Sequence, residues 1–187
     1  MKRRTCKTIS LLSLLVFLGA RTFTGAQGIT PDLQAKIDAK LKTIQSWAAD
    51  EVIVKAVKEH NANPSPDARA MTQDKWKSLP VLDPFVRSLT KNAAAERLKA
   101  LKDDSVSEAF ISGADGTKVA FLSKTTNWSH KGKPKHEVPM SGKTWQGEPE
   151  LDESTGVQQI QVSVPILDDG KPIGSLVVGL SLNKLGS

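Results

Sequence analysis

Cysteine is nearly missing from this 187-residue chain, the one copy being Cys6. A disulfide framework is therefore excluded, and the fold must rest on its core. Long apolar runs are as scarce. Beyond residues 9–20 no stretch approaches the length that crosses a bilayer. Signatures of catalysis are missing too: there is no nucleophile elbow, phosphate loop, dinucleotide fingerprint or metalloprotease helix. His60, His130 and His136 lack the spacing of a zinc or iron site. The acidic run Glu148, Glu150, Asp152 and Glu153 lacks the glycine-punctuated order of an EF-hand loop. No internal repeat or low-complexity tract is visible. The expectation is a non-enzymatic protein that needs no cofactor and no metal.

What is present begins with a targeting pattern. Lys2, Arg3, Arg4 and Lys7 precede an apolar stretch over residues 9–20, and Thr24-Gly25-Ala26 places small residues before Gln27. These are the three regions of a secretory signal peptide, residues 1–26, with an uncleaved anchor as the alternative. Cys6 precedes the apolar stretch, so it is not placed as a lipoprotein anchor. The whole chain has 26 basic and 20 acidic residues, a formal charge of +6. Lys2, Arg3, Arg4, Lys7 and Arg21 would leave with the peptide, and 21 basic residues would then face 20 acidic ones. The basic balance is thus a targeting signal and no evidence for nucleic acid. Lys131, Lys133 and Lys135 lack the interleaved aromatics of a nucleic-acid groove. The expected location is periplasmic or secreted, after cleavage near Ala26.

Residues 27–187 are long enough for one domain with its own core. Helices are expected over 27–105 and an antiparallel sheet over 106–187. Thr30 suits an N-cap and Pro31 the first helical position. Leu33, Ile37, Leu41, Ile44 and Ala48 then recur at helical spacing with Trp47 beside them, and the stripe reads as core. Continued through Val57 to Asn61, this helix would be about 45 Å long. Either it bends near Asp50-Glu51, or its first half projects and pairs with another copy. A second helix is expected from Asp83-Pro84 to Leu101. Short strands follow over 108–111 and 117–122. The clearest stretch is 157–182, where Ile160, Val162, Val164 and Ile166 alternate with polar residues, and Leu176 to Leu182 repeat the pattern after Asp169-Gly170. This is an antiparallel hairpin with one buried face. Pro165 requires an edge, a bulge or a loop on its N–H side. Helices followed by an antiparallel meander make an α+β fold.

Several pieces together resemble the Cache (PDC) group of extracytoplasmic sensor domains, and within it the small stand-alone secreted members. They are the stretch from Trp47 to Asn61, Asp74-Lys75-Trp76, the stretch from Ser112 to Ala120, and Lys124-Thr125-Thr126. Leu151 to Thr155, Gln161 to Ile166 and Gly170 to Gly174 complete the set. The resemblance implies a PAS-like sheet of about five strands with a long N-terminal helix. It also implies a small-molecule pocket between the central sheet and the segment after its second strand. That segment is 125–136, with Trp145 and Asp152 following. Trp128 and Trp145 can supply a wall, while Thr125, Asn127, His130, Lys133 and Asp152 can supply polar contacts. Both tryptophans can equally cap the sheet, and Asp152 can equally fix a turn. Where relatives carry an acidic stretch, this chain has His130-Lys131-Gly132-Lys133, which points to an anionic ligand or to a solvated lysine-rich loop.

The functional expectation is an extracytoplasmic sensor-type domain that binds a small organic ligand without its own membrane or output module. Signalling would then need a membrane-bound partner, or a homodimer formed through the N-terminal helix. The alternative is a ligand-free interaction module that uses the long helix to bind a protein.

Overall fold

The computed structural model describes residues 29–152 and 157–186, without the side chain of Asp152. The signal-peptide reading of 1–26 lies outside the described residues. One six-stranded antiparallel sheet organises the chain, in the order β2-β1-β6-β5-β3 with β4 also paired to β5. The strands are β1 Val106–Gly113, β2 Lys118–Phe121, β3 Trp145–Gln146, β4 Glu150–Asp152, β5 Val157–Asp168 and β6 Lys171–Ser181.

Strands β5 and β6 form the central hairpin. Asp169 and Gly170 at its turn have φ of 46° and 76°, so both are left-handed, as a two-residue hairpin turn with the twist of its strands requires. On its outer side β5 meets β3 only at Val162 and Ser163, and β4 only at residues 157–159. Pro165 therefore sits on a stretch of β5 that pairs with β6 alone, where its missing N–H breaks no ladder.

The predicted long helix is two helices, α1 Pro31–Ala48 and α2 Glu51–Ala62. Thr30 caps α1, with its hydroxyl 3.3 Å from the Leu33 N–H. Asp50 breaks the run because its carboxylate accepts from the Val52 N–H at 3.0 Å and starts a new helix. The stripe of Ile37, Ile44 and Trp47 is buried against the sheet, so the first half does not project. Asn92 divides the second predicted helix in the same way. It ends α5, Pro84–Lys91, and caps α6, Ala93–Leu101, by accepting from the Ala95 N–H at 2.9 Å. Between these pairs lie α3, Pro66–Ala70, and α4, Gln73–Ser78.

The stretch read as strands alone also contains helices: α7, Pro134–Met140, and α8, Leu182–Gly186. Helix α7 has Pro134 in its first turn, a position that suits a helix start, but it has no side-chain cap and carries Pro139 inside it, so a start signal is followed within its seven residues by a breaker.

Alternation along the strands divides two layers of packing. Ala109, Ile111, Ile160, Val162, Val164, Leu176 and Val178 join residues of α1, α2, α6 and α8 in the larger core. Phe110, Phe121 and Val177 face the other way and join Trp76, Val86, Leu89 and Trp128 in a second cluster. The expectation of one buried face therefore needs correcting. Ser112, Lys118, Gln159, Gln161, Ser163 and Ser175 are buried as well, beneath α7 and the segment after β2.

Candidate functional site

A buried polar sheet face is the observation that needs explaining, since polar groups leave water only at a cost unless they find partners. Between this face, residues 123–127 and α7 lies a cleft of about 590 Å³. Ser107, Glu108 and Phe110 of β1 and Gln159 and Gln161 of β5 form its floor. Lys124, Thr125, Asn127, His130 and Lys135 line one side, and Glu150 and Leu151 of β4 the other.

Helix α4 pins the wall of this cleft. Trp76 Nε1 donates to the Thr125 carbonyl at 2.7 Å, and Gln73 Nε2 to the Thr126 carbonyl at 3.0 Å. The Gln73 side-chain oxygen accepts from the Trp128 N–H at 2.9 Å. Segment 125–128 is held by three bonds to one short helix, so its position does not depend on a ligand.

The floor is a chain of amides and carboxylates. Gln159 Nε2 lies 3.3 Å from both Glu108 Oε1 and Glu150 Oε1, while its oxygen accepts from Ser107 Oγ at 2.5 Å. Gln161 donates to Glu108 and accepts from Lys135 Nζ. Burial lowers the pKa of Lys135, and the nearby Glu108 and Glu150 oppose that effect.

Behind His130 lies Lys118, which is fully buried. Its Nζ meets His130 Nδ1, lies 3.3 Å from Ser112 Oγ and sits 4.1 Å above the centre of the Phe110 ring. Among the described residues no carboxylate pairs with it. Burial pushes Lys118 well below the ordinary lysine range. Burial also brings His130 down to about 3, helped by the positive charges of Lys118 and Lys135. Burial is the larger cause for both groups, so the direction holds whichever of the two carries the proton. Deeper under α7, His136 Nδ1 lies 2.8 Å from Ser175 Oγ. Among the described residues, Ser163 Oγ is the buried side-chain polar atom without a partner.

The structure brings Thr125, Asn127 and His130 to the cleft. It does not bring Trp128 there: that ring is buried beside Trp76 and Phe85, with centroids 5.2 and 5.6 Å away. Trp145 lies opposite Ser163 on the polar side of β5, outside the cleft lining. Lys133 is exposed at the N-cap of α7. Asp152 pairs with Val157 through its backbone, and its side chain lies outside the described residues. Lys131 is exposed too, so the lysines of the basic loop face solvent, while His130 of that loop and Lys135 of α7 turn inward.

Sequence reasoning missed Glu108, Lys118, Lys135, Gln159 and Gln161 as site residues. A signal existed in the two glutamines, which hold the polar positions of a strongly patterned strand. Nothing in the sequence showed that this side would be covered.

No protein-family model and no curated protein matches the chain. Among solved structures it is similar to the sensor domain of the V. cholerae histidine kinase DctB, at 14% identity and a TM-score of 0.50. That match covers 82% of this chain and 53% of the other. It is also similar to the E. coli DcuS sensor domain, at 12% identity and a TM-score of 0.47, covering 83% and 95%. A third is the ligand-binding domain of the P. aeruginosa amino acid chemoreceptor PctC in complex with GABA, at 13% and 0.45, covering 82% and 57%. The chain spans about half the length of the DctB and PctC domains. At such identities the DctB likeness speaks to the fold alone, and it is the fold of the Cache (PDC) sensor domains. No described helix is long and apolar enough to cross a membrane.

Proposed function

We propose that this protein is an extracytoplasmic sensor-type domain that binds a small organic molecule reversibly in the cleft beside β1 and β5. One observation supports this above the others: polar side chains on a buried sheet face converge on a cavity of about 590 Å³, a volume suited to a small molecule. In this reading Thr125, Asn127 and His130 contact the ligand, and Glu108, Lys135, Gln159 and Gln161 complete the set. Trp128 holds the wall from behind. Lys133, Trp145 and Asp152 are given no ligand contact in this reading. Lys124 and Lys135 favour a ligand with an anionic group, and Glu108 and Glu150 limit how much negative charge it carries.

In this reading occupancy is passed to a separate membrane-bound partner. Periplasmic or secreted localisation belongs to the same proposal and is checked by sequencing the N-terminus of the exported protein for a start at Gln27. The alternative, an interaction module or homodimer working through the long helix, has less support. The apolar stripe on which it relied is turned onto the sheet.

The test is to denature the purified protein gently and analyse released small molecules by mass spectrometry, alongside a thermal-shift screen of organic acids, amino acids and amines. A compound that raises the midpoint in the parent protein but not in Asn127→Ala supports the cleft. Nothing released and nothing shifting the midpoint would turn the search towards a protein partner.

A further inference from the structure

We propose that Lys118 fixes the tautomer of His130, so that His130 presents an Nε2–H donor to the cleft and selects ligands carrying an anionic oxygen, either carboxylate or phosphate. This rests on the cleft being a ligand site and names the group that reads the ligand.

Four observations carry it. First, His130 is only 5% exposed yet lines the cleft, so a small part of it reaches that space. Second, its Nδ1 is taken by Lys118 Nζ, while no described residue bonds its Nε2. Third, Lys118 is fully buried, with Ser112 Oγ as its other hydrogen-bond partner and no paired carboxylate among the described residues. Fourth, the ring stacks on Phe110, which fixes its plane, and a half-turn within that plane would put Cδ2 in place of Nδ1 and lose the bond to Lys118.

A neutral imidazole has one donor and one acceptor nitrogen. An ammonium can only donate, so a charged Lys118 forces Nδ1 to be bare and Nε2 to carry the proton. The face of Phe110 beneath Nζ favours that charged state, while burial opposes it. An anion at the mouth of His130 supplies the missing negative charge and tips the balance towards the ammonium. The other charges that bear on the pair are Glu108 on β1, and Lys133, Lys135 and His136 at α7. Glu108 favours a charged lysine, and Lys135 disfavours it. Lys118 acts through His130, so it is a positioning residue.

The experiment pairs a tautomer readout with a binding readout on the purified protein. Long-range proton–nitrogen NMR at neutral pH, with glutarate or phosphate present, reads the tautomer of His130, assigned with His130→Gln. Calorimetry then measures glutarate, its diamide, 1,5-diaminopentane and inorganic phosphate against the parent and Lys118→Met. The expected result is the Nε2–H form, binding of glutarate or phosphate but not of the diamide, and about a tenfold or greater loss in Lys118→Met. That variant should also give a mixture of tautomers. Preference between glutarate and phosphate separates carboxylate from phosphate recognition. An Nδ1–H tautomer overturns the proposal whatever binds. Binding of the diamine or diamide in place of the anions overturns it while leaving the cleft as a site. An Nε2–H tautomer with no binding by any probe, together with no released compound, counts against both. Ser112→Ala, which removes the weaker partner of Lys118, guards against a Lys118→Met protein that fails to fold: it should keep the tautomer and the binding.

Discussion

The imidazole of His130 stacks on the ring of Phe110, with centroids 4.7 Å apart and planes 16° from parallel. Phe110 belongs to the aromatic cluster behind the cleft, and its edge reaches the cleft floor. The pair therefore joins the packed core to the polar cavity. It holds a titratable ring where water reaches little of it.

That burial predicts a pH dependence of stability. An unfolded histidine titrates near 6.5, whereas His130 in the fold is brought down to about 3. Between these values the unfolded chain binds more protons, so stability rises with pH across the window. The contribution is complete above about 6.5 and is lost as pH falls towards 3. His60 and His136 are also lowered by burial and act in the same direction. Denaturant midpoints followed from neutral to acid pH should fall less steeply in His130→Gln than in the parent. Parallel curves would mean that His130 does not titrate abnormally.

Trp128→Ala should cost about 3–5 kcal/mol of stability, because it empties a site packed between Trp76 and Phe85. Asn127→Ala, one residue away and half-exposed, should stay within about 0.5 kcal/mol. Chemical denaturation of both variants checks the contrast. Equal costs would place Trp128 outside the core.

Gly174 lies where β6, β1 and α2 approach closely. A Cβ there would lie 2.4 Å from the Ser112 carbonyl oxygen and 2.9 Å from Val57 Cγ1. Backbone cannot yield as a side-chain tip can, so Gly174→Ala should destabilise by about 1–3 kcal/mol. The measurement is the unfolding midpoint. A neutral result would show that the sheet and α2 sit further apart.

Asp50 both caps α2 and pairs with Arg97, Nε to Oδ2 being 2.7 Å. Asp50→Ala should cost about 0.5–2 kcal/mol. Asp50→Asn keeps a capping oxygen and loses only the ion pair, and should cost about 0–1 kcal/mol. If Asn proves as costly as Ala, the ion pair outweighs the cap.

Local chemistry was readable without coordinates. The hairpin of β5 and β6 follows from strict alternation and an Asp-Gly turn, and α1 from Thr30-Pro31 and an apolar stripe. The break at Asp50 was legible as one of two options, because the choice depends on whether the stripe finds a sheet to cover. Asn92 hid its role, since a capping residue inside an apolar pattern reads like any polar position. Helix α7 was hidden by Pro139 inside it and by its missing cap.

What the sequence by itself determined is the central hairpin, the first helix with its apolar stripe and the α+β order, because these depend on residue periods and caps within a few positions. Tertiary structure decided that the polar side of the hairpin is covered. It also put Trp128 behind the wall and Lys118 behind His130. Those placements depend on contacts between residues far apart in the chain, such as Lys135 with Gln161 and Trp76 with Thr125. Each of those side chains would be as much at home in solvent or in another core, and only the packing of α4 and α7 onto the sheet selects its partner.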